Sequence, residues 1–171
     1  MHEVYFSLGS NLGHRKNNLK KAVGLLKECG VKILKISHIY ETEPVSKIKQ
    51  GYFLNICIVA ETEFAPENLL KICKNIEKEM GRMPHAAGRN GYYEPRIIDI
   101  DIILFGQKII KKRNLIIPHA NMHLRRFVLE PLCEIAPEAY NPKLHKTVKE
   151  LLLDCEDKED KSEVKNTKKA L

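Results

Sequence analysis

The chain has 171 residues, of which 43% are hydrophobic, and its 29 lysines and arginines exceed its 22 aspartates and glutamates to give a net charge of +7. This composition excludes disordered and fibrous proteins and predicts one globular domain. No apolar run approaches the ~20 residues that cross a bilayer, and the N-terminus opens on a strand-like pattern, so we expect neither a membrane span nor a secretory signal. The five cysteines form no C-x-x-C pair, which predicts reduced thiols in a cytoplasmic protein.

Strand-like and helical patterns alternate along the chain in the order β-α-β-β-α-β. Apolar residues recur at helical spacing in two segments, and Gly30 and Gly81 supply the stops. A shorter apolar stretch after Gly106 leads to Pro118, and a short helix follows. The predicted strands are 4–9, 32–42, 53–63 and 96–105, and the predicted helices are 15–29, 66–81 and 127–135.

This order of elements is typical of the split βαβ, or ferredoxin-like, arrangement. We therefore predict an α+β fold, an antiparallel sheet with helices on one face and additional C-terminal strand and helix elements. We expect the domain to span residues 1–153. Residues 154–171 mix charges with almost no apolar side chains, and this predicts a disordered tail.

The positive charge is concentrated in residues 82–126. Six of the seven arginines lie in this segment, which holds nine basic and three acidic residues. A planar guanidinium suits two-pronged recognition of phosphate or carboxylate groups, whereas lysine is a common general surface residue. The distribution therefore indicates a polyanionic ligand at this part of the chain.

Two acidic residues interrupt the most apolar predicted strand. Because strand side chains alternate, Asp99 and Asp101 lie on the same face with Cα atoms roughly 6.5–7 Å apart. Two desolvated like charges repel each other, and Mg²⁺, which prefers carboxylate oxygens, removes the conflict. An acidic edge strand facing water is the structural alternative. The basic and histidine residues around the pair favour transfer of a phosphoryl or pyrophosphoryl group; they are Arg82, His85, Arg89, Arg96, His119, His123 and Arg125.

Two segments match motifs of other functions only in part. The turn at residues 9–15 contains glycines before a helix, but it lacks the G-K-[ST] ending of a P-loop. Residues 49–54 faintly resemble the aromatic strand of RNA-recognition sheets, which leaves a basic RNA-binding module as an alternative. Carboxylates on the fourth predicted strand would repel an RNA backbone, and this disfavours the alternative.

Several collinear segments resemble one family, the 6-hydroxymethyl-7,8-dihydropterin pyrophosphokinases of folate biosynthesis. The resemblance covers residues 3–142. Its most specific part is the D-x-D strand at Asp99 followed by the pattern P-H-x-x-M-x-x-R-x-F from Pro118 to Phe127. The other matching segments are 8–13, 40–45, 53–55, 76–82, 127–129 and 131–132.

The resemblance implies Mg²⁺-dependent transfer of pyrophosphate from ATP to the pterin hydroxyl, which gives AMP and the pterin diphosphate. By position, it implies that two Mg²⁺ ions bind the aspartates. The implied catalytic residues are Arg82, Arg96, Asp99 and Asp101. The implied pterin-binding residues are Thr42, Pro44, Val45, Phe53, Asn55 and Phe127. The implied ATP-binding residues are Glu77, Arg82, Arg96, Ile102, His119 and Arg125.

The chain departs from the family pattern before Pro95. It has no tryptophan, although the family usually carries Trp-Gly here, so the residue that closes on ATP stays open among His85, Arg89, Tyr92 and Tyr93. A second acceptor in place of the pterin, on the same fold and ATP site, also stays open. We expect a monomer that binds ATP and the reduced pterin and binds neither nucleic acid nor membrane.

Overall fold

The computed structural model describes residues 1–44, 51–82, 95–155 and 164–171. Its helices are α1 (Arg15–Glu28), α2 (Pro66–Glu79), α3 (Arg126–Ile135) and α4 (Val148–Asp154), with a 3-10 turn at Met122–Leu124. Its strands are β1 (His2–Ser10), β2 (Lys32–Ile36), β3 (Tyr40–Thr42), β4 (Phe53–Thr62), β5 (Asp99–Phe105), β6 (Ile110–Lys112), β7 (Leu115–Ile117), β8 (Tyr140–Asn141), β9 (Lys146–Thr147) and β10 (Val164–Asn166).

A six-stranded antiparallel sheet organises the fold. Its order is β10-β3-β4-β1-β5, and β2 pairs with the other half of β4. β1 and β4 run together from His2 opposite Thr62 to Ser10 opposite Leu54. The β1-α1-β2/β3-β4-α2-β5 succession and this strand order are those of a ferredoxin-like sheet, so the predicted α+β fold class is confirmed.

The two faces of the sheet carry different layers. α1 and α2 cover one face through buried side chains such as Leu26 and Leu69, which pack with Val4 and Phe6 of β1. The other face packs against α3 and α4. There Leu132 and its neighbours pack with the strand residues that alternate with those of the first face, such as Tyr5 between Val4 and Phe6. Strand alternation therefore sends Asp99 and Asp101 to the α3 side, because Ile100 between them is buried in the α1–α2 core.

The predicted strands 32–42 and 96–105 differ most from the observed bounds. The predicted strand 32–42 divides into β2 and β3 because Ser37 leaves the ladder: its hydroxyl accepts from the Cys57 N–H at 2.9 Å, and its own N–H donates to the Cys57 carbonyl at 3.0 Å. The predicted strand 96–105 begins only at Asp99, since the backbone of Arg96 bonds to Asn11 instead.

The prediction of a disordered tail is wrong for residues 164–171. β10 pairs with β3, and the last residue, Leu171, packs against the main core. Strand pairing and one terminal apolar contact order a segment whose composition resembles that of a disordered chain. Residues 156–163 of the predicted tail lie outside the described residues.

No helix within the described ranges is long and apolar enough to cross a membrane. All five cysteines are described as thiols outside disulfides, and Cys57, Cys73 and Cys155 are buried.

Candidate active site

The register of the sheet brings the predicted metal-binding and pterin-binding residues into one row. Gly9 in the centre of the row lies opposite Asp99 on one side and opposite Asn55 on the other. Asn55 in turn lies opposite Tyr40 of β3. Ser7, two residues before Gly9 in β1, lies opposite Asp101. The carboxylates of β5 and the amide of β4 are therefore separated by a single strand.

Gly9 leaves the space that Asn55 occupies. A Cβ atom at Gly9 would lie 2.8 Å from Asn55 Oδ1 and 3.5 Å from Phe53 Cδ1. The first distance is too short for a carbon atom, so any side chain at this position would displace the amide. The sequence predicted only a tight turn here, and the need for glycine follows from the pairing across the sheet.

Asp99 is held between two arginines. Arg82 Nη1 lies 2.6 Å from Asp99 Oδ1, and Arg96 Nη1 donates to Asp99 Oδ2. Burial of Asp99 raises its pKa, but the Arg96 and Arg82 charges together outweigh burial, and the net pKa is lower than usual. The carboxylate is therefore ionised at neutral pH.

Glu77 of α2 holds Arg82 in place beside Asp99. Its side chain is 3% exposed; it accepts from the Ile100 N–H at 2.8 Å and lies 2.5 Å from Arg82 Nη1. Lys74 Nζ donates to the same carboxylate at 3.0 Å. The described contacts of Glu77, which the resemblance places at the nucleotide, are thus to β5, Arg82 and Lys74. It fixes Arg82 against Asp99.

Asp101 carries the least compensated charge of the site. Burial, followed by the charge of Asp99, raises its pKa to about 6, although Lys74 and Arg125 act in the opposite direction. A cation bound by both carboxylates removes the electrostatic repulsion that raises the pKa of the second acid. Among the described residues, no group of three or more His, Cys, Asp and Glu side chains could hold a metal ion. Two carboxylates with waters and substrate phosphates are, however, a donor set that fits Mg²⁺.

Asn11 fixes the entrance to β5, a role that the sequence did not reveal. Its side-chain Oδ1 accepts from the Arg96 N–H at 2.7 Å, and its own N–H donates to the Arg96 carbonyl at 3.1 Å. Asn11 Nδ2 donates to the Gly51 carbonyl at 3.3 Å. The available signal was an asparagine directly after the first strand, where side chains often bond backbone groups.

The segment after β7 supplies the second set of predicted nucleotide-binding residues. The His119 N–H donates to the Ile103 carbonyl at 2.9 Å, which places the ring beside the middle of β5. Burial, then the charge of Arg125, lowers the pKa of His119 to about 4, so the ring is neutral at pH 7. Its Nδ1 accepts from the Asn121 N–H at 3.4 Å, which leaves the proton on Nε2.

Phe127 and Asn55 approach the same face of the sheet from different elements. The Arg125 guanidinium lies 5.7 Å from the centre of the Phe127 ring, at cation–π distance. The next residue of α3, Val128, accepts from Cys57 Sγ of β4 at 3.5 Å. Asn55 is 4% exposed and donates through Nδ2 to Thr42 Oγ1 at 2.8 Å.

The remaining predicted residues divide into three groups. Pro44 and Phe53 are partly buried beside β3 and at the start of β4. The side chain of Ile102 lies in the α1–α2 core, on the opposite face from the aspartates, so the structure does not bring it to the others. The residues outside the described ranges are Val45, His85, Arg89, Tyr92 and Tyr93.

A ferredoxin-like sheet that presents paired carboxylates, two arginines and a neutral histidine on one face defines an enzyme of phosphoryl or pyrophosphoryl transfer. Residues 5–137 match the profile of the family described as 7,8-dihydro-6-hydroxymethylpterin-pyrophosphokinase (HPPK), and the chain belongs to this family. The family predicted from the sequence is thereby confirmed.

Two bacterial relatives are similar over most of their length. The 2-amino-4-hydroxy-6-hydroxymethyldihydropteridine pyrophosphokinase of Bacillus subtilis is 42% identical over 136 residues, which are 79% of this chain and 78% of the relative. The enzyme of the same name from Aquifex aeolicus is 39% identical over 150 residues, which are 88% of this chain and 90% of the relative.

Other relatives are longer. A folate synthesis bifunctional protein of Arabidopsis thaliana is 45% identical over 134 residues, but this chain spans only 27% of its length. The wild-type Plasmodium falciparum HPPK-DHPS structure with pteroate superposes with a TM-score of 0.69 at 18% identity, over 90% of this chain and 44% of that chain. This last likeness supports the fold alone.

Proposed function

We propose that this chain transfers pyrophosphate from ATP to the hydroxyl of 6-hydroxymethyl-7,8-dihydropterin and releases AMP. The observation that carries the proposal is the row in which Gly9 separates Asp99 from Asn55. It sets a site for polyphosphate chemistry next to a buried amide that can recognise a heteroaromatic edge. The acceptor hydroxyl bonds to the β-phosphorus while the bond from that phosphorus to the α–β bridging oxygen breaks.

Asp99 and Asp101 are the residues that would hold Mg²⁺, and we propose two ions there. When bound, the metal supplies charge compensation for the phosphates and favours the deprotonated acceptor. Asp99 is ionised beside its arginines, and Asp101, with a pKa of about 6, is ionised at pH 7 and above. Both side chains are therefore in the protonation state that a metal ligand requires.

Arg82 and Arg96 are proposed to bind the transferring phosphates. Both side chains are mostly buried, 15% and 18% exposed, so their charges act where water screens them little. Fixed positive groups of this kind stabilise charge that develops in the transition state. His119 is neutral and is proposed to donate from Nε2 to the nucleotide, with Arg125 as the charged partner.

Asn55 and Thr42 are proposed to recognise the pterin edge, with Phe53 and Phe127 against the ring faces. A flat heteroaromatic ring suits two aromatic faces, and an amide can both donate and accept at its edge. Pro44 and Val45 are proposed to line the pocket. Cysteines that form no disulfide within the described residues favour a reducing compartment, and we propose a cytoplasmic monomer.

The test measures AMP release from ATP with Mg²⁺ and the reduced pterin. We expect the Asp99→Ala and Asp101→Ala variants to lose at least about a thousandfold in kcat, the size typical when charge stabilisation of a transition state is removed. Asp154→Asn is the matched control, because Asp154 is half exposed and pairs only with Lys146 among its described contacts.

Absence of AMP formation by the parent chain would contradict the proposed function, and full activity of both alanine variants would contradict the assignment of the aspartates. Titration of the pterin into protein with a non-hydrolysable ATP analogue separates the two acceptor hypotheses. Saturable binding at micromolar pterin supports the pterin as acceptor, and no binding points to another acceptor on the same ATP site.

A further inference from the structure

The C-terminal segment, defined as residues 164–171, completes the edge of the sheet beside β3. β10 runs antiparallel to β3, with Val164 opposite Thr42 and Asn166 opposite Tyr40. On its other side β3 pairs with β4, where Thr42 lies opposite Phe53. The C-terminal segment is thus hydrogen-bonded to the strand that carries one of the proposed pterin-binding residues.

The pairing extends beyond β10. The Thr167 N–H donates to the Ile39 carbonyl at 2.9 Å, and the Ile39 N–H donates to the Lys169 carbonyl at 2.9 Å. Thr167 Oγ1 donates to the same Ile39 carbonyl at 2.8 Å. Since β3 has only three residues, and strands this short are weakly fixed by one neighbour, the bonds on its second edge decide how firmly it is held.

Side-chain contacts anchor the segment at its end and in its middle. Leu171 packs against the main core, and Lys16 of α1 donates to the Ala170 carbonyl at 3.0 Å. In the middle, Asn166 Nδ2 donates to the Tyr40 hydroxyl at 3.1 Å, and this hydroxyl donates to Glu134 Oε2 of α3 at 2.9 Å. The segment therefore supports the Tyr40 hydroxyl, through which β3 is bonded to the helix that carries Phe127.

The position of β3 determines the direction of the Asn55 amide. Asn55 Nδ2 donates to Thr42 Oγ1 at 2.8 Å, and its Oδ1 lies directly above Gly9. Both Asn55 and Thr42 are at least 96% buried, so few alternative partners are within reach. A shift of β3 would turn the amide away from the orientation in which it can face a ligand.

We propose that the C-terminal segment is a positioning element of the pterin pocket, which sets affinity for the flat heteroaromatic substrate by holding Thr42 and Asn55 in place. The inference rests on the proposed function. The segment follows the residues 5–137 that match the family profile. Its effect is confined to the pterin, because the arginines and aspartates of the phosphate site are fixed by Glu77 and Asn11, on the other side of β1.

The test compares the parent chain with a chain ending at residue 163 and with Thr167→Pro, which removes the N–H that donates to Ile39. We expect both variants to raise the KM for the pterin about tenfold, the effect of losing one well-placed hydrogen bond to a substrate. We expect kcat and the KM for ATP to stay within about twofold. Lys169→Ala is the control, since it alters a side chain and leaves the backbone bonds intact.

Binding measured without turnover gives a second readout. The dissociation constant of the pterin, followed by its own fluorescence in the presence of a non-hydrolysable ATP analogue, should rise by the same factor in both variants. Amide hydrogen exchange at Glu41 and Thr42 should quicken in both variants. This measurement does not depend on enzymatic activity. If the parent chain forms no AMP, that result contradicts the proposed function and leaves the exchange test of the C-terminal segment valid.

Three results would overturn the inference. The first is an unchanged pterin KM in the truncated chain and in Thr167→Pro. The second is an equal loss in the kinetics of both substrates, which indicates a general structural role. The third is unaltered amide exchange at Thr42. If the truncated chain fails to fold by circular dichroism, Thr167→Pro and Asn166→Ala decide the question. The first removes the two hydrogen bonds that Thr167 donates to the Ile39 carbonyl, the second removes the bond that Asn166 donates to Tyr40, and both keep the chain at full length.

Discussion

Replacement of Asp101 by asparagine should stabilise the protein while it abolishes pyrophosphate transfer. The carboxylate lies beside Asp99 on a largely buried sheet face, and its pKa is raised from 3.8 to about 6. The folded state therefore binds a proton more tightly than the unfolded chain. For this reason the free energy of unfolding falls as the pH rises from about 4 to about 6.

The structure sets the size of the effect. The gap between 3.8 and about 6, at about 1.4 kcal/mol per pH unit, corresponds to at most about 3 kcal/mol at pH 8. Asparagine keeps the shape of the side chain and removes the charge, so the variant should recover most of this amount. For a chain of this length, the gain corresponds to a rise in Tm of about 6 to 12 °C.

Thermal unfolding of metal-free parent and variant at pH 4 and pH 8, with EDTA present, provides the assay. The variant should unfold at a clearly higher temperature than the parent at pH 8 and at nearly the same temperature at pH 4. Asp154→Asn, at a half-exposed site, should change the free energy of unfolding by less than about 0.5 kcal/mol at either pH. A difference between Asp101→Asn and parent that is equal at both pH values, or negative at pH 8, would refute the reasoning.

Three further substitutions test the site and its support. Gly9→Ala places a Cβ 2.8 Å from Asn55 Oδ1 and should raise the KM for the pterin about tenfold in steady-state assays, a shift of about 1.4 kcal/mol; an unchanged KM would contradict the packing argument. Gly24→Ala, with nothing within 4 Å of the new Cβ, should leave the kinetics unchanged and raise the free energy of urea unfolding by about 0.5–1 kcal/mol, since alanine favours a helix interior. Glu77→Ala leaves the Ile100 N–H without its acceptor and removes one of the two carboxylates that pair with Arg82; it should lower the free energy of unfolding by about 3–5 kcal/mol, and a loss below about 1 kcal/mol would show that Glu77 does not hold the network.

The sequence predicted the parts of the site that depend on local periodicity. Alternation alone placed Asp99 and Asp101 on one face, and the structure confirms this through the buried Ile100 between them. Helical spacing and the glycine stops predicted α1 and α2 to within a few residues of their observed ends. These features are set by neighbours in the chain, so a single sequence contains the information.

Features that depend on distant partners could not be predicted in this way. Ser37 divides a strand because it bonds to Cys57 of β4, twenty residues away in the chain. Val164–Asn166 forms a strand only because an unpaired edge of β3 is available. Asn11 acts on Arg96, which lies 85 positions along the chain. Each depends on which segments meet in space, and no periodic pattern records that.

The double ion pair at Asp99 has a consequence for how ligands enter. Arg82 and Arg96 already neutralise this carboxylate, so Asp99 and its two arginines form an internally compensated set of charges. In the proposed reaction the two guanidinium groups would turn to a phosphate and would leave a buried anion that requires a new cation. Recruitment of a polyphosphate and of a divalent ion is therefore one exchange of partners, and each should strengthen the binding of the other by the same factor. An enzyme built in this way distinguishes the metal–nucleotide complex from either component alone.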